Sequence, residues 1–341
     1  MSGKRRTLII AEAGVNHNGD ISIARQLVDT AADAGADIVK FQTFRADALA
    51  VDSAPKAAYQ SRNGGQAGES QADMLRKLEM TPSMHEELQQ YCVLRGIEFL
   101  STPFDLESVS LLASMNIRLF KIPSGEITNL PYLRAVGGQG REILLSTGMS
   151  NMEEIAAALA VLEQAGTPQG MVTLLHCTTE YPAPVAEVNL LAIGHMREAF
   201  PAVKGVGYSD HTKGIEIPIA AVALGATVIE KHFTISRNLP GPDHKASLEP
   251  DELQALCAAV RNIEQSLGDG RKRAMPGELA NRAIARKSIV AARDIAKGEL
   301  FTPENLTAKR PATGVSPMRW DAIVGTSASR SYKKDDLLCE E

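Results

Sequence analysis

The feature that most restricts what this chain can fold into is a rhythm. Short apolar runs return eight times: TLIIAEA (7–13), IVKFQTF (38–44), IEFLST (97–102), RLFKIPS (118–124), EILLSTG (142–148), VTLLHCT (172–178), VKGVGYS (203–209) and TVIEKHF (227–233). Each has the length of a strand. Most of the intervening segments carry helical periodicity, most clearly 21–34, 83–94, 106–115, 152–165 and 215–225. Alternating strand and helix demands a parallel sheet, because a strand returns in the same direction only through a crossover. Eight units in roughly 240 residues predict an α/β fold closed into a (β/α)8 TIM barrel. A doubly wound open sheet is the competitor, but it needs a glycine-rich phosphate turn after an early strand, and no GxGxxG stands there.

Past the eighth run the chain changes character. GDGRKRAMPGELANRA (268–283) is charged and glycine-bearing, as exposed linkers are. The expected division is a barrel over 1–267, a linker over 268–285 and a small tail domain over 286–341. Fifty-odd residues make a marginal core, so the tail is expected to lean on its own barrel or on that of a second subunit. The connection 45–76 is rich in Ala, Ser, Gly and Gln and far longer than a usual βα loop. On a barrel it lies at the catalytic face and reads as part of a substrate lid. A net charge of −5 argues against a generic nucleic-acid or anionic-membrane surface. Cys92, Cys177, Cys257 and Cys339 are scattered, with no CxxC, which suits reduced thiols in a cytoplasmic protein. No apolar run approaches the about 18 residues of a membrane span, and no signal peptide is expected.

The chemistry concentrates at the ends of the runs. In GVGYSDHTKGIEIPIAAVALGATVIEKHFTISRNLPGPDHK (205–245), His211 follows the seventh run and His232 closes the eighth. Side chains alternate along a strand, so Glu230 and His232 share a face. If the two strands are parallel neighbours, the histidines converge at one rim. There they either hold a divalent metal with open coordination positions or bond to backbone as ordinary rim histidines. The other runs end in Glu12 with Asn16 and His17, Lys40 with Gln42, Ser101 with Thr102, Lys121 with Ser124 and Glu126, Ser146 with Thr147, and His176 with Thr178. Thr179 and Tyr181 lie just beyond, and Ser209 and Asp210 precede His211. Lysines inside a barrel mouth are costly unless an anion pairs with them. Lys40 and Lys121, beside Ser124, Ser146 and Ser209, make a cage for phosphate and carboxylate; the alternative is outward snorkelling or pairing with Glu12 or Glu230. Glu126 reads either as a rim cap or as a general base, and Glu230 as a structural partner of Lys121 or Lys40.

The runs AEAGVNHNGD, KFQTF, STPFD, FKIPSGE, STGM, LLHCTTEYP, GYSDHTKG, IEKHFT, LPGPDHKASLEPDEL and AKRPATGVSPMRW resemble, in matching order over essentially the whole chain, the sialic acid synthase family. That family comprises N-acetylneuraminate synthase and its legionaminate-type relatives, and the tail resembles its antifreeze-like (SAF) domain. The resemblance implies a transferase that condenses phosphoenolpyruvate with an open-chain amino sugar and releases phosphate by C–O cleavage. N-acetylmannosamine is the favoured acceptor and 2,4-diacetamido-2,4,6-trideoxy-mannose, giving N,N'-diacetyllegionaminate, the alternative. It further implies Mn²⁺ or Mg²⁺ on His211 and His232 polarising the aldehyde, and Lys40, Thr102, Lys121, Ser124, Ser146 and Ser209 neutralising phosphate and carboxylate. Glu126 would orient or deprotonate the attacking water. Glu12, Gln42, Tyr181 and Asp243 would hold the sugar, with Arg310 reaching its N-acetyl group from the tail of a partner subunit in a domain-swapped homodimer. Thr179 stands where some family members have an asparagine. A metal-dependent pyruvate aldolase on the same fold would need no phosphate cage. An ice- or carbohydrate-binding role is suggested only by the tail, whose strong charge argues against it.

Overall fold

All eight apolar runs are strands: β1 Leu8–Gly14, β2 Ile38–Thr43, β3 Glu98–Pro103, β4 Leu119–Ile122, β5 Glu142–Ser146, β6 Val172–Cys177, β7 Gly205–Asp210 and β8 Val228–His232. The structure, a computed structural model, describes residues 6–49, 51 and 70–339. Hydrogen bonds run in the order β3-β2-β1-β8-β7-β6-β5-β4, and every pair is parallel. β3 and β4, the two ends of that order, lie against each other and close the cylinder as a TIM barrel. The strands are buried on both faces, which is why they read as continuous apolar runs rather than as alternating ones.

The crossover helices start and stop where local chemistry directs. Ile21–Asp33 begins at Asp20, whose side chain accepts from the Ser22 N–H, and it turns Ala24, Leu27, Val28 and Ala31 towards the barrel. Leu27 is fully buried, so Leu27→Ala would cost about 2–5 kcal/mol. Pro82–Arg95 opens on the Thr81 cap with proline in its first turn and ends at Gly96, whose φ of 69° is left-handed. Asn151 and Glu154 form a reciprocal capping box at the start of Met152–Ala165.

In the long connection after β2, short helices Ala46–Leu49 and Gln71–Arg76 are joined by an ion pair between Arg76 and Asp47 of 2.8 Å. They bury Phe44, Ala46, Met74, Leu75 and Leu78 in an apolar cluster separate from the main core. Most of the expected lid, residues 50 and 52–69, lies outside the described residues.

Residues Met1–Gly268 and Asp269–Glu341 form two compact units. In the second, an exposed helix, Pro276–Ala285, occupies most of the stretch expected to be a linker. Behind it β9 (Ser288–Ala291) pairs antiparallel with β10 (Leu306–Lys309), over a core that includes Ile289, Ile295, Phe301, Leu306 and Tyr332. No described helix is long and apolar enough to cross a membrane.

Candidate active site

Strand register assembles the barrel mouth. Glu12 of β1 stands opposite Lys40 on one side and His232 on the other. Gln42 faces Thr102, Ser209 faces Glu230, and Cys177 faces Ser209. A cavity of about 220 Å³ opens at these carboxyl ends, lined by Glu12, Lys40, Gln42, Thr102, Lys121, Ser124, Ser146, Tyr181, Ser209, His211 and His232, with Cys177, Thr179 and Glu230 among its other walls.

Its floor is ionic. Lys40 Nζ donates to Glu12 Oε2 at 2.6 Å and to Thr102 Oγ1 at 2.7 Å, and lies 3.7 Å from Glu230 Oε2. Lys121 Nζ donates to Ser146 Oγ at 2.8 Å and lies 3.5 Å from Glu230 Oε1, which accepts from Ser209 Oγ at 2.8 Å. Burial opposes the charge on Glu230, but Lys121 and Lys40 outweigh it and hold the carboxyl down at about 2. Burial pushes Glu12 the other way, to about 7, despite its short contact with Lys40. Burial likewise lowers Lys121, whereas for Lys40 burial is outweighed by Glu12 and Glu230, which raise it. The floor therefore sets two buried lysine Nζ groups beside serine and threonine hydroxyls, donors that suit an anion.

Two glycines admit this crowding. Gly14 sits at a bulge in β1 with φ 54°, and a Cβ there would touch Gln42, Glu12 and His232. Gly148 donates its N–H to Ser124 Oγ at 3.0 Å, and a Cβ would stand only 2.8 Å from that oxygen.

Above the floor, the rings of His211 and His232 are 5.5 Å apart, and Tyr181 packs 4.0 Å from the first and 5.7 Å from the second. His211 Nδ1 donates to the Thr178 carbonyl at 2.6 Å, which fixes the ring, and against burial the neighbouring Cys177 and this bond raise His211 above the ordinary histidine value. His232 Nδ1 is buried with no hydrogen-bond partner among the described residues. Burial, with the neighbouring His211 and Lys40 charges, presses His232 well below the ordinary histidine value, so the ring is neutral. Two imidazoles converging at one rim fit an ion that keeps most of its coordination sphere for water and substrate. Among the described residues no set of three or more His, Cys, Asp and Glu side chains is placed to hold one.

A second cavity of about 330 Å³ shares Gln42, Phe104, Tyr181 and His232 with the first. Glu126 and Asp243 line this one rather than the lysine cavity. Glu126 is half-buried and accepts from Asn129 Nδ2 at 2.6 Å, whereas Asp243 is buried, which pushes its carboxyl up to about 6. Arg310 belongs to the other compact unit, where it follows β10 and is exposed. Thr179 faces the first cavity with its methyl carbon towards Gly148.

Several strand-end polar groups point elsewhere. His176 turns out of the barrel and donates from Nε2 to the Val188 carbonyl at 2.6 Å. Asp210 also faces outward, paired at 2.5 Å with the buried Lys231. Asn16 is tied to the Phe233 carbonyl and to Ser247. On β6 it is Cys177, not His176, that faces the mouth, with its Sγ 3.7 Å from His211 Nδ1. The signal for Cys177 was strand parity with Ser209, but a strand buried on both faces shows no polar alternation from which to read it.

Residues 27–272 match the NeuB family and residues 286–339 the SAF domain. The chain is 54% identical to the N,N'-diacetyllegionaminic acid synthase of Campylobacter jejuni, across 98% of this chain and 100% of that one. It is 44% identical to the enzyme of the same name from Legionella pneumophila, across 98% and 93%. The crystal structure of an N-acetylneuraminic acid (sialic acid) synthetase from Leptospira borgpetersenii, in complex with citrate, superposes with a TM-score of 0.70 at 33% identity, covering 82% of this chain and 91% of that one.

Proposed function

Because this chain belongs to the NeuB family of phosphoenolpyruvate-dependent condensing enzymes and carries a SAF domain, we propose that it is an N,N'-diacetyllegionaminate synthase. The acceptor on this reading is 2,4-diacetamido-2,4,6-trideoxy-mannose. That revises the preference for N-acetylmannosamine drawn from motifs alone, since relatives named for the legionaminic product share more of the sequence than the sialic acid synthetase does. The observation that carries the reading is the pair of buried lysines, Lys40 bonded to Thr102 and Lys121 to Ser146, in one cavity with Ser124 and the two histidines.

In this reaction C3 of phosphoenolpyruvate attacks the aldehyde carbon, whose oxygen gains a proton and becomes a hydroxyl. Water adds to the cationic C2, and phosphate departs with its bridging oxygen, leaving the 2-keto acid. Lys40 and Lys121 neutralise the phosphate and carboxylate, held at fixed positions by Thr102 and Ser146, so little reorganisation is needed as charge moves. His211 and His232 would hold Mn²⁺ or Mg²⁺, which supplies Lewis acidity for the aldehyde oxygen. Glu126, on the second cavity's wall, orients or deprotonates the incoming water, and Asn129 fixes its carboxylate. Glu12, Gln42, Tyr181 and Asp243 position the sugar. Arg310 reaches the N-acetyl group from the tail of a second subunit in a domain-swapped homodimer.

The test is release of inorganic phosphate from phosphoenolpyruvate with the diacetamido sugar. Release should depend on the sugar, stop on chelation and return with Mn²⁺, and pyruvate should not substitute for phosphoenolpyruvate. Sugar-dependent turnover with pyruvate would instead mark an aldolase.

A further inference from the structure

The second cavity is chemically lopsided. Its near side, shared with the lysine cavity, holds Gln42, Tyr181 and His232, with Glu126 and Asp243 beside them. Its far side is formed by Phe44, Leu49, Met74, Leu75 and Leu78, with Phe104 standing between the two cavities. Gln71 is the one polar side chain lining it from the helix Gln71–Arg76 among the described residues. These apolar residues are held in place: Phe44, Met74, Leu75 and Leu78 are part of one packed cluster, and Phe44 meets Phe104 edge to face at 6.3 Å between centroids.

Resting on the condensing reading above, we propose that this apolar wall selects the acceptor by its far end, accepting the C6 methyl and the methyl of the C4 acetamido group and disfavouring hydroxyls at those carbons. The direction follows from the junction of the cavities. The aldehyde must meet phosphoenolpyruvate where the two cavities join, at Gln42, Tyr181 and His232. A six-carbon chain with C1 at that junction extends C4 to C6 towards the wall. A methyl gains there by leaving water, whereas a hydroxyl set against these apolar side chains loses its water partners. Such a wall discriminates only moderately, because an apolar pocket rejects an added hydroxyl by roughly 10²-fold.

The test uses the full-length enzyme with Mn²⁺ and follows phosphate release with three acceptors: the diacetamido-trideoxy sugar, 2-acetamido-2,6-dideoxy-mannose and N-acetylmannosamine. The expected order of kcat/KM is as given, with roughly 10²-fold between first and last. Met74→Gln and Leu75→Asn should each reduce that ratio about tenfold through the sugar KM, with the phosphoenolpyruvate KM unchanged and Met74→Leu behaving as wild type. Equal efficiency with the three sugars overturns the wall proposal alone and leaves the condensing reading standing. So does a ratio unmoved in folded Gln and Asn variants. Absence of release with every sugar overturns the condensing reading, and the wall with it. Should the polar variants fail to fold, the three-sugar series on the wild-type enzyme still decides the matter.

Discussion

Glu230 shows how much one residue arranges. It sits between two lysines and a serine hydroxyl, and by staying ionised it keeps both ammonium groups inside the mouth. Its partnership with Lys40 and Lys121 was legible from parity along β8 and from the cost of burying a lysine alone. The state of Asp243 was not, because its burial depends on a turn far from any strand pattern. Its ordinary value of 3.8 is pushed up to about 6 by burial, so the folded protein holds this proton more tightly than the unfolded chain. The stability this contributes is fully present below the unfolded value and is lost as pH rises through about 6; its size is on the order of 3 kcal/mol. Urea unfolding of the wild type and of Asp243→Asn should therefore show the wild type losing ground to the variant from about pH 4 to pH 7. A stability difference that does not change with pH would contradict the effect of burial on this carboxyl.

At the scale of elements, the strand ends deliver the chemistry, and the turn after β5 is crowded. Gly148 is needed for space alone: an added Cβ would lie 2.5 Å from Thr179 Cγ2 as well as 2.8 Å from Ser124 Oγ. Gly148→Ala should displace Ser124 and raise the phosphoenolpyruvate KM roughly tenfold, with little change in the sugar KM. A variant with wild-type kinetics for both substrates would mean that Ser124 does not touch the phosphate. The STGM motif marked this turn in the sequence, but the reason for its glycine appears only when β4 and β6 bring Ser124 and Thr179 beside it. The helix Pro276–Ala285 was hidden for the opposite reason. Its apolar side chains, Leu279 and Ile284 among them, are all exposed, and the charged, glycine-bearing run around them reads as a linker.

For the whole molecule, the two compact units carry unequal shares of the chemistry. Every expected site residue except Arg310 belongs to the barrel unit. If tails are exchanged between subunits, Arg310→Ala should raise the sugar KM far more than the phosphoenolpyruvate KM. Co-expression of Arg310→Ala with the inactive His211→Ala should then restore about a quarter of the sites at low sugar concentration, since a mixed dimer has one intact pairing of barrel and tail. A mixture no more active than its Arg310→Ala component would show that each tail serves its own barrel or none.

The sequence by itself determined the barrel and the identity of its mouth, because strand length, helix period and the cost of unpaired buried charge are local properties of the chain. It also brought the histidines to neighbouring strand ends, where parity put Glu230 and His232 on one face. Only the tertiary structure decided which way β6 faces, that burial and pairing push Glu12 and Glu230 in opposite directions, and that Glu126 and Asp243 line a cavity beside the lysines rather than the same one. Those outcomes depend on packing distances across the barrel, and a strand buried on both sides carries no pattern that records them.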